Sequence, residues 1–563
     1  MVFAKIYYLR DPKKIINIKT YNMNNQLFTF KQPLNEPIYS YAPGTPERAA
    51  LQAELERQYN QVIEIPLIIG GKEVRTGKMG QVVMPTEHKH VLANYHQVTE
   101  KEVKMAIDAA MAAKKQWEEM PWVERASIMM KAAELLSKKY RYKLNAATML
   151  GQGKNPFQAE IDTPCEAIDF MRFNAYFASQ IYAQQPISDN TTINRMEYRP
   201  LEGFVYAITP FNFTAIAANL NISPVLMGNV TVWKPATTAI LSNYYLMEVF
   251  KEAGIPDGVI NFLPGSGATI SNVVFNSPDF AGVHFTGSTG TFNAFWKTIG
   301  NSIDNYRTYP KIVGETGGKD FIFAHSSADA RELAVAILRG AFEYQGQKCS
   351  AASRGYIPKS LWEDVLKHIK EMMKTVKMGC VRDFSNFINA VIDEKAFDTI
   401  AGYIDRAKAS KDAEIVLGGG HDKSVGYFIE PTIIVAKTPN YESMEEEIFG
   451  PVMTIYVYED NKYEETLKLC DQTSTYALTG SIFARDRYAM NYAINALRYS
   501  AGNFYLNDKC TGAVVGNQPF GGARASGTND KAGSELNLYR WISPRAIKET
   551  LVPPTNYGYP FLG

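Results

Sequence analysis

Short β-rich runs and helical stretches alternate from Gly203 onward, and this alternation restricts the fold more than any other feature of the chain. Gly203–Thr209, Asn229–Lys234, Val259–Leu263 and Ala281–Thr286 read as strands. Helical stretches separate them, one running to Ala253 and closed by the turn sequence Gly254-Ile255-Pro256-Asp257-Gly258. Strands at this spacing joined by helices predict an α/β fold with a parallel, doubly wound sheet. Such sheets bind ligands at the carboxyl ends of their strands. A second α/β set begins near Phe321, with a helix over Ala328–Phe342, a strand at Arg354–Pro358, a helix over Leu361–Lys377 and a β-rich run at Ile429–Val435. Two such lobes imply a cleft between them. Upstream, residues 98–140 read as two helices broken at Pro121, and a third is expected around 157–183.

Phe204–Trp233 contains no charged side chain, a length that could span a membrane. It also holds Pro210, Pro224, Asn212, Asn219, Asn221 and Asn229. Amides are costly in lipid, so a buried strand and helix is the better reading. The 563 residues carry 59 Lys and Arg against 58 Asp and Glu, a net of +1. That balance argues against a nucleic-acid or membrane-surface protein, which needs a basic excess. Locally it fails: residues 1–22 carry Lys5, Arg10, Lys13, Lys14 and Lys19 against Asp11. This leader has one Arg and no Ser, and lacks an apolar run, so neither a transit peptide nor a secretory signal is recognisable. It reads as a weakly structured N-terminal tail, an extension over 1–41, or as a start placed upstream of Met23. A bacterial cytosol fits, with a mitochondrial matrix as the alternative. Five cysteines without a CxxC pair point to neither a zinc site nor a disulfide framework.

Glu343-Tyr344-Gln345-Gly346-Gln347-Lys348-Cys349-Ser350-Ala351 is the strongest chemical signal. A cysteine directly after a helix, in a turn rich in glycine and amides, is reachable. Backbone N–H groups and Lys348 would favour its thiolate. The competing reading, a small buried hydrophobe, is applied to Cys165, Cys380 and Cys470. Glu315, beside Gly317 and Gly318, fits a general base and also a solvated turn carboxylate. Asn212, at the end of the first strand, fits an oxyanion donor and also a turn amide. Phe285-Thr286-Gly287-Ser288-Thr289-Gly290 takes a strand into a helix through glycines, a phosphate-binding arrangement. Gly265-Ser266-Gly267 opens a dinucleotide-like run, but Ile270 stands at the third glycine position and the fingerprint fails.

Together these pieces resemble the aldehyde dehydrogenase superfamily. The Glu315-to-Cys349 separation and the strings PFNF, WKP, FTGS, EEIFGPV and PFGG occur in the family's order from about residue 42 to the C-terminus. The segments FNFTAIAANL, FEYQGQKCSA, GQGKNPFQAEID and NFYLNDKCTGAVVGNQPFGG resemble the branch that oxidises glutamate γ-semialdehyde in proline breakdown. The resemblance implies that Cys349 attacks the aldehyde, Asn212 and the Cys349 N–H hold the oxyanion, and Glu315 activates water, with no metal. It implies NAD, held by Thr209, Pro210 and Phe211, with Lys234 at the adenosine ribose, Gly287 and Ser288 at the pyrophosphate, Glu447 at the nicotinamide ribose and Phe449 against the ring. Thr237 stands where NAD-preferring relatives often carry an acid, so NADP tolerance is expected. For the substrate it implies Ser350, Gly512 and Ala513 on the α-carboxylate, Glu166 facing the α-ammonium, and Phe213 and Phe520 as walls. Some relatives carry Ser at the position of Ala513, and that donor is lost here.

The implied architecture is an NAD-binding domain over 42–185 and 204–317 and a catalytic domain over 318–533. An oligomerisation element is expected from a projecting hairpin near 186–203 and residues 534–563, building a homodimer or larger homo-oligomer. The alternatives are an aldehyde dehydrogenase for another small semialdehyde, a cysteine hydrolase or transferase without redox chemistry, needing a His partner for Cys349, and a non-catalytic protein on this fold.

Overall fold

The structure, a computed structural model, describes residues 28–563. The basic leader over 1–22 and the alternative start at Met23 lie outside the described residues. Two seven-stranded sheets organise the chain. The first runs in the order Lys311–Glu315, Phe280–Thr286, Phe204–Ile208, Thr231–Lys234, Ile260–Phe262, Leu67–Ile69, Lys72–Val74. Its five strands from Phe204 onward are mutually parallel. The chain winds outward from Phe204–Ile208 through Thr231 and Ile260, then returns to lay Phe280–Thr286 on the other side. The order therefore reverses between Phe204–Ile208 and Phe280–Thr286, which opens a crevice at their carboxyl ends. The antiparallel strands at Leu67–Ile69 and Lys72–Val74 were not foreseen. Runs of three residues are too short to show an alternation.

The uncharged window folds as expected from its amides. Phe204–Ile208 is buried throughout, and the helix Thr214–Leu226 is buried on nearly every side. A helix packed all round has no polar face to write into its sequence. Among the described residues, no helix is long and apolar enough to cross a membrane.

The second sheet runs Ala413–Leu417, Thr432–Ala436, Val452–Tyr458, Ala352–Pro358, Asp320–Ala324, Thr479–Phe483, Asn503–Leu506, parallel except for its first pair.

Three expectations need correction. The helix expected around 157–183 is a short helix Pro156–Glu160, a π turn Ile161–Cys165 and a helix Glu166–Ala183. Pro164 lacks an N–H, and a locally widened turn accommodates it. The projecting hairpin near 186–203 is not a local hairpin. Its strand Thr192–Pro200 pairs antiparallel with Ile542–Thr550, from Thr192 opposite Thr550 to Pro200 opposite Ile542. Finally, the described part of the extension, residues 28–41, is not a loose tail. Tyr39 N–H donates to Glu160 at 3.0 Å, Tyr41 Oη to Glu160 at 2.7 Å, and the Glu36 carboxylate accepts from Arg141 at 2.7 Å.

Candidate active site

The helix Ala330–Phe342, capped by Asp329 accepting the Arg331 and Glu332 N–H groups at 3.0 Å, aims the chain at the cleft. It breaks in a turn where Tyr344 and Gln345 adopt φ of 51° and 53°. Such backbone costs energy for residues with a Cβ and persists only when held. Here Tyr344 Oη donates to the Gln152 carbonyl at 2.8 Å, and Gln345 Nε2 donates to Gly153 at 3.0 Å and Ala390 at 2.8 Å. The turn delivers Cys349 to the wall of a cavity of about 280 Å³.

Glu315 ends the strand Lys311–Glu315 and lines the same cavity, its Oε2 accepting the Gly522 N–H at 3.0 Å. The paired glycines that follow have a packing reason. A Cβ on Gly318 would lie 2.3 Å from the Cys349 carbonyl oxygen, and one on Gly317 would lie 2.4 Å from Glu447. Only glycine lets the cysteine turn and the Glu447 carboxylate close onto this segment. Glu447 accepts the Gly318 N–H at 2.9 Å, and burial raises its pKa to about 6.

Asn212 is buried at the end of the central strand and donates through Nδ2 to the Gln347 carbonyl at 3.0 Å. A carboxamide has two N–H groups. One pins Asn212 to the cysteine turn, and the second remains as a donor. Preceding it, Thr209 accepts the Trp233 indole N–H at 2.9 Å, and the Phe211 carbonyl accepts Gln152 Nε2 at 2.5 Å. Pro210 lies between them in the same loop.

At the switch point, Lys234 carries an ammonium that burial lowers to a pKa of about 8, and it makes no hydrogen bond among the described residues. Ser288 caps the helix Thr289–Asn301, accepting the Thr291 N–H at 3.3 Å. The Gly287 N–H donates to the Glu315 carbonyl at 3.2 Å, tying the two loops together. Phe449 adopts φ of 57° and sets its ring 5.9 Å from that of Phe211. Thr237 opens a short 3₁₀ turn and is exposed.

Glu166, Phe213, Ser350, Gly512, Ala513 and Phe520 line the cavity with Cys349 and Glu315. Ser350 Oγ lies 2.8 Å from Thr511 Oγ1. Gly512 adopts φ of 97°, and Lys509 Nζ donates to the Thr511 carbonyl at 2.7 Å. Glu166 does not face bulk water. Burial raises its carboxyl well above the ordinary value, the neighbouring Asp162 adding to the shift and Lys154 and Lys348 opposing it. It makes no hydrogen bond among the described residues, so a cation entering the cavity would meet an unpartnered acid.

One expectation fails. Lys348 does not serve the Cys349 thiolate. Its Nζ lies 3.3 Å from Asp162, which also holds the fully buried Lys154 at 2.5 Å, and Lys154 sits 4.3 Å from the centre of the Phe213 ring. Burial raises the Cys349 thiol well above its ordinary value, with Asp320, Glu315 and Glu447 adding to the shift and the Ser350 N–H opposing it. Lys154 and Asp162 were missed because nothing in their spacing announces a pair until the π turn folds Asp162 back. His284 also lines the cavity, but burial lowers it to about 3, its Nδ1 lies 3.1 Å from the Leu220 carbonyl, and it makes no hydrogen bond to Cys349. Among the described residues, no histidine is hydrogen-bonded to Cys349.

Cys349 and Glu315 share one cavity beside the α/β switch point, and residues 73–546 match the aldehyde dehydrogenase family, a family of oxidoreductases. The chain belongs to that family. It is 55% identical over 533 residues to the mitochondrial delta-1-pyrroline-5-carboxylate dehydrogenase of Dictyostelium discoideum, covering 94% of this chain and 96% of that one. The human mitochondrial protein of the same name is 46% identical over 529 residues, 94% of each chain. Among solved structures, the delta-pyrroline-5-carboxylate dehydrogenase of Mycobacterium tuberculosis bound with NAD matches with a TM-score of 0.93 at 48% identity, covering 96% of this chain and all of that one.

Proposed function

We propose that this chain oxidises L-glutamate γ-semialdehyde, the open form of delta-1-pyrroline-5-carboxylate, to L-glutamate with NAD, the second step of proline catabolism. The observation that carries this reading is a single cavity in which Cys349 and Glu315 share walls with Ser350, Gly512, Ala513 and the unpartnered Glu166. An amino-acid aldehyde brings a carboxylate and an ammonium, and each needs a partner when buried. Ser350 and the N–H groups of Gly512 and Ala513 suit the first, and Glu166 suits the second. Phe213 and Phe520 wall the methylenes between.

The switch-point residues fit a dinucleotide. Lys234 is a buried ammonium without an anion, Ser288 opens a helix whose N-terminal N–H groups favour phosphate, and Glu447 and Phe449 border the cysteine turn. Thr209, Pro210, Phe211 and Gly287 form the loops between. When bound, the dinucleotide supplies the hydride acceptor and a cationic ring. Cys349 Sγ bonds to the aldehyde carbon as its proton passes to water, and Asn212 Nδ2 and the Cys349 N–H would hold the charge that gathers on the carbonyl oxygen. Hydride loss leaves a thioester on Cys349. Glu315 takes a proton from water as its oxygen attacks the thioester carbon, releasing glutamate and the thiol.

Steady-state rates on glutamate semialdehyde and on succinate semialdehyde test the reading. kcat/KM should favour the amino-acid substrate by about tenfold or more, since the second leaves Glu166 unpaired. Equal values would make this a broader semialdehyde dehydrogenase. Glu166→Ala should raise KM for glutamate semialdehyde about tenfold or more, the scale of a charged hydrogen bond, with KM for propanal within about twofold. Equal effects would remove Glu166 from substrate recognition.

For the cofactor, a carboxylate at position 237 would repel a 2′-phosphate by a few kcal/mol at close range, on the order of 4 at an effective dielectric constant of about 20. Thr237 is neutral. NAD should be preferred with NADP accepted, and Thr237→Glu should raise the NAD-to-NADP ratio of kcat/KM by about tenfold or more. An NADP rate already undetectable in the wild type would contradict this.

The Thr192–Pro200 and Ile542–Thr550 ribbon, with exposed Leu551, Val552, Tyr557 and Phe561 beyond it, supports a homodimer contact, to be read by light scattering in solution. Cytosolic and mitochondrial placement are separable by localising the full chain with a C-terminal tag. The names of the Dictyostelium and human relatives support the mitochondrion over the bacterial cytosol.

A further inference from the structure

Residues 28–45 precede the family match, which begins at residue 73, yet Asn35, Glu36 and Ile38 line the catalytic cavity. We propose that this segment is a strap across the substrate cavity and that Asn35 is a positioning residue for substrate recognition, joining the helix of Glu166 to the loop of Gly512 and Ala513. The inference rests on the function proposed above.

The Asn35 carboxamide has every polar position engaged. Nδ2 donates to Asp169 Oδ2 at 2.8 Å and to the Val515 carbonyl at 2.9 Å, and Oδ1 accepts from Asn517 Nδ2 at 3.2 Å. Asp169 lies three residues beyond Glu166 in the helix Glu166–Ala183, a spacing that places both on one face. Val515 lies two residues beyond Ala513. One side chain therefore spans the two elements that carry the ammonium partner and the carboxylate donors.

The strap is rigid behind Asn35. The Glu36 N–H donates to Asp169 Oδ1 at 2.7 Å, and the Glu36 carboxylate accepts from Arg141 at 2.7 Å, Arg172 at 2.6 Å and Ser137 at 2.6 Å. The Arg141 guanidinium lies 3.8 Å from the centre of the Tyr39 ring. These bonds fix the strap to the helical layer. The hydrogen bonds from Asn35 to Val515 and from Asn517 to Asn35 are the only ones between strap and loop among the described residues. The loop carries no regular secondary structure, Gly512 and Gly516 adopt φ of 97° and 81°, and its anchors besides Asn35 are the buried Val515 and the contact of Thr511 with Ser350. Substrate clamps depend on geometry held to a fraction of an ångström, so loosening the loop should weaken the amino-acid end and leave chemistry at Cys349 intact.

The test is Asn35→Ala in the full-length protein. KM for glutamate semialdehyde should rise about fivefold or more, as for loss of a hydrogen bond to a charged group plus a neutral one. kcat, KM for propanal and KM for NAD should stay within about twofold. No shift, or an equal shift on propanal, overturns the proposal. Should Asn35→Ala not fold, judged by its thermal transition, Asn517→Ala at the exposed end of the tether gives the same readout, with a semialdehyde-selective rise of about twofold expected and a non-selective or absent rise overturning it. A wild-type enzyme that does not prefer glutamate semialdehyde would instead overturn the proposed function.

Discussion

Cys349→Ala should lower aldehyde-dependent NAD reduction by about 10⁴-fold or more, the scale seen when a covalent nucleophile is removed. Among the described residues, one other cysteine, Cys165, lines the cavity, and it is engaged elsewhere. Cys165 is held among Glu160, Arg141 and the Pro37 carbonyl, and Cys510 is fully buried against the Ser350 carbonyl. NAD affinity should be unchanged, because Lys234, Ser288 and Glu447 are untouched. Wild-type activity in this variant would end the covalent mechanism. The surroundings of the thiol add a second measurement. With burial and three carboxyls opposing ionisation, alkylation of the free enzyme should be slow at neutral pH and should accelerate as pH rises above the ordinary thiol value of about 8.5. NAD should speed it at fixed pH, because an opposite charge beside the thiol favours thiolate. A rate flat in pH and indifferent to NAD would mean a resting thiolate.

Legibility followed the range of the interactions. The strands from Phe204 to Thr286 were readable because each is a local β-rich run bounded by turn residues, and their parallel order follows from the helices between them. Cys349 was readable because its polar flanks are adjacent in sequence. The partner of Lys348 was not, since Asp162 reaches it only through the π turn at Ile161–Cys165. Nor was the mate of Thr192–Pro200, which lies at the other end of the chain. Glu166 presented the spacing of an ordinary helix carboxylate, and only packing shows that its face is a cavity wall. Residues 28–41 failed for a related reason. Their bonds run to Arg141, Glu160, Asp169 and Val515, and an extended segment with distant partners has no periodicity of its own. Resemblance carried the roles of Lys234 and Glu447, which as isolated charges read like surface residues. Their burial without a charged hydrogen-bond partner, Lys234 near a pKa of 8 and Glu447 near 6, is a physical signal that no spacing rule contains.

Glu315→Gln should separate the two halves of the reaction. Gln keeps the size of Glu and can still accept the Gly522 N–H, so acylation of Cys349 survives, whereas an amide cannot take a proton from water. Loss of a general base lowers turnover by about 10²–10⁴-fold. The variant should therefore give a burst of NADH of roughly one per active site followed by slow release, with a thioester detectable by mass. A missing burst would place Glu315 in the first half instead. Burial raises the Glu315 carboxyl well above its ordinary value, reinforced by Asp530 and opposed by the Gly522 N–H and Lys531. Wild-type turnover limited by deacylation should rise with pH as this acid ionises, and the variant should lose that dependence. The same shift bears on stability. Above the unfolded carboxyl value of about 4.3, the unfolded chain releases a proton that the folded chain retains. Fewer protons bound in the unfolded state means that stability falls as pH rises, until the folded group ionises too. Gln has no such proton. The thermal midpoint of Glu315→Gln minus that of the wild type should therefore grow as pH is raised from 5 toward 8, and parallel midpoints would show that Glu315 is not held protonated by its burial.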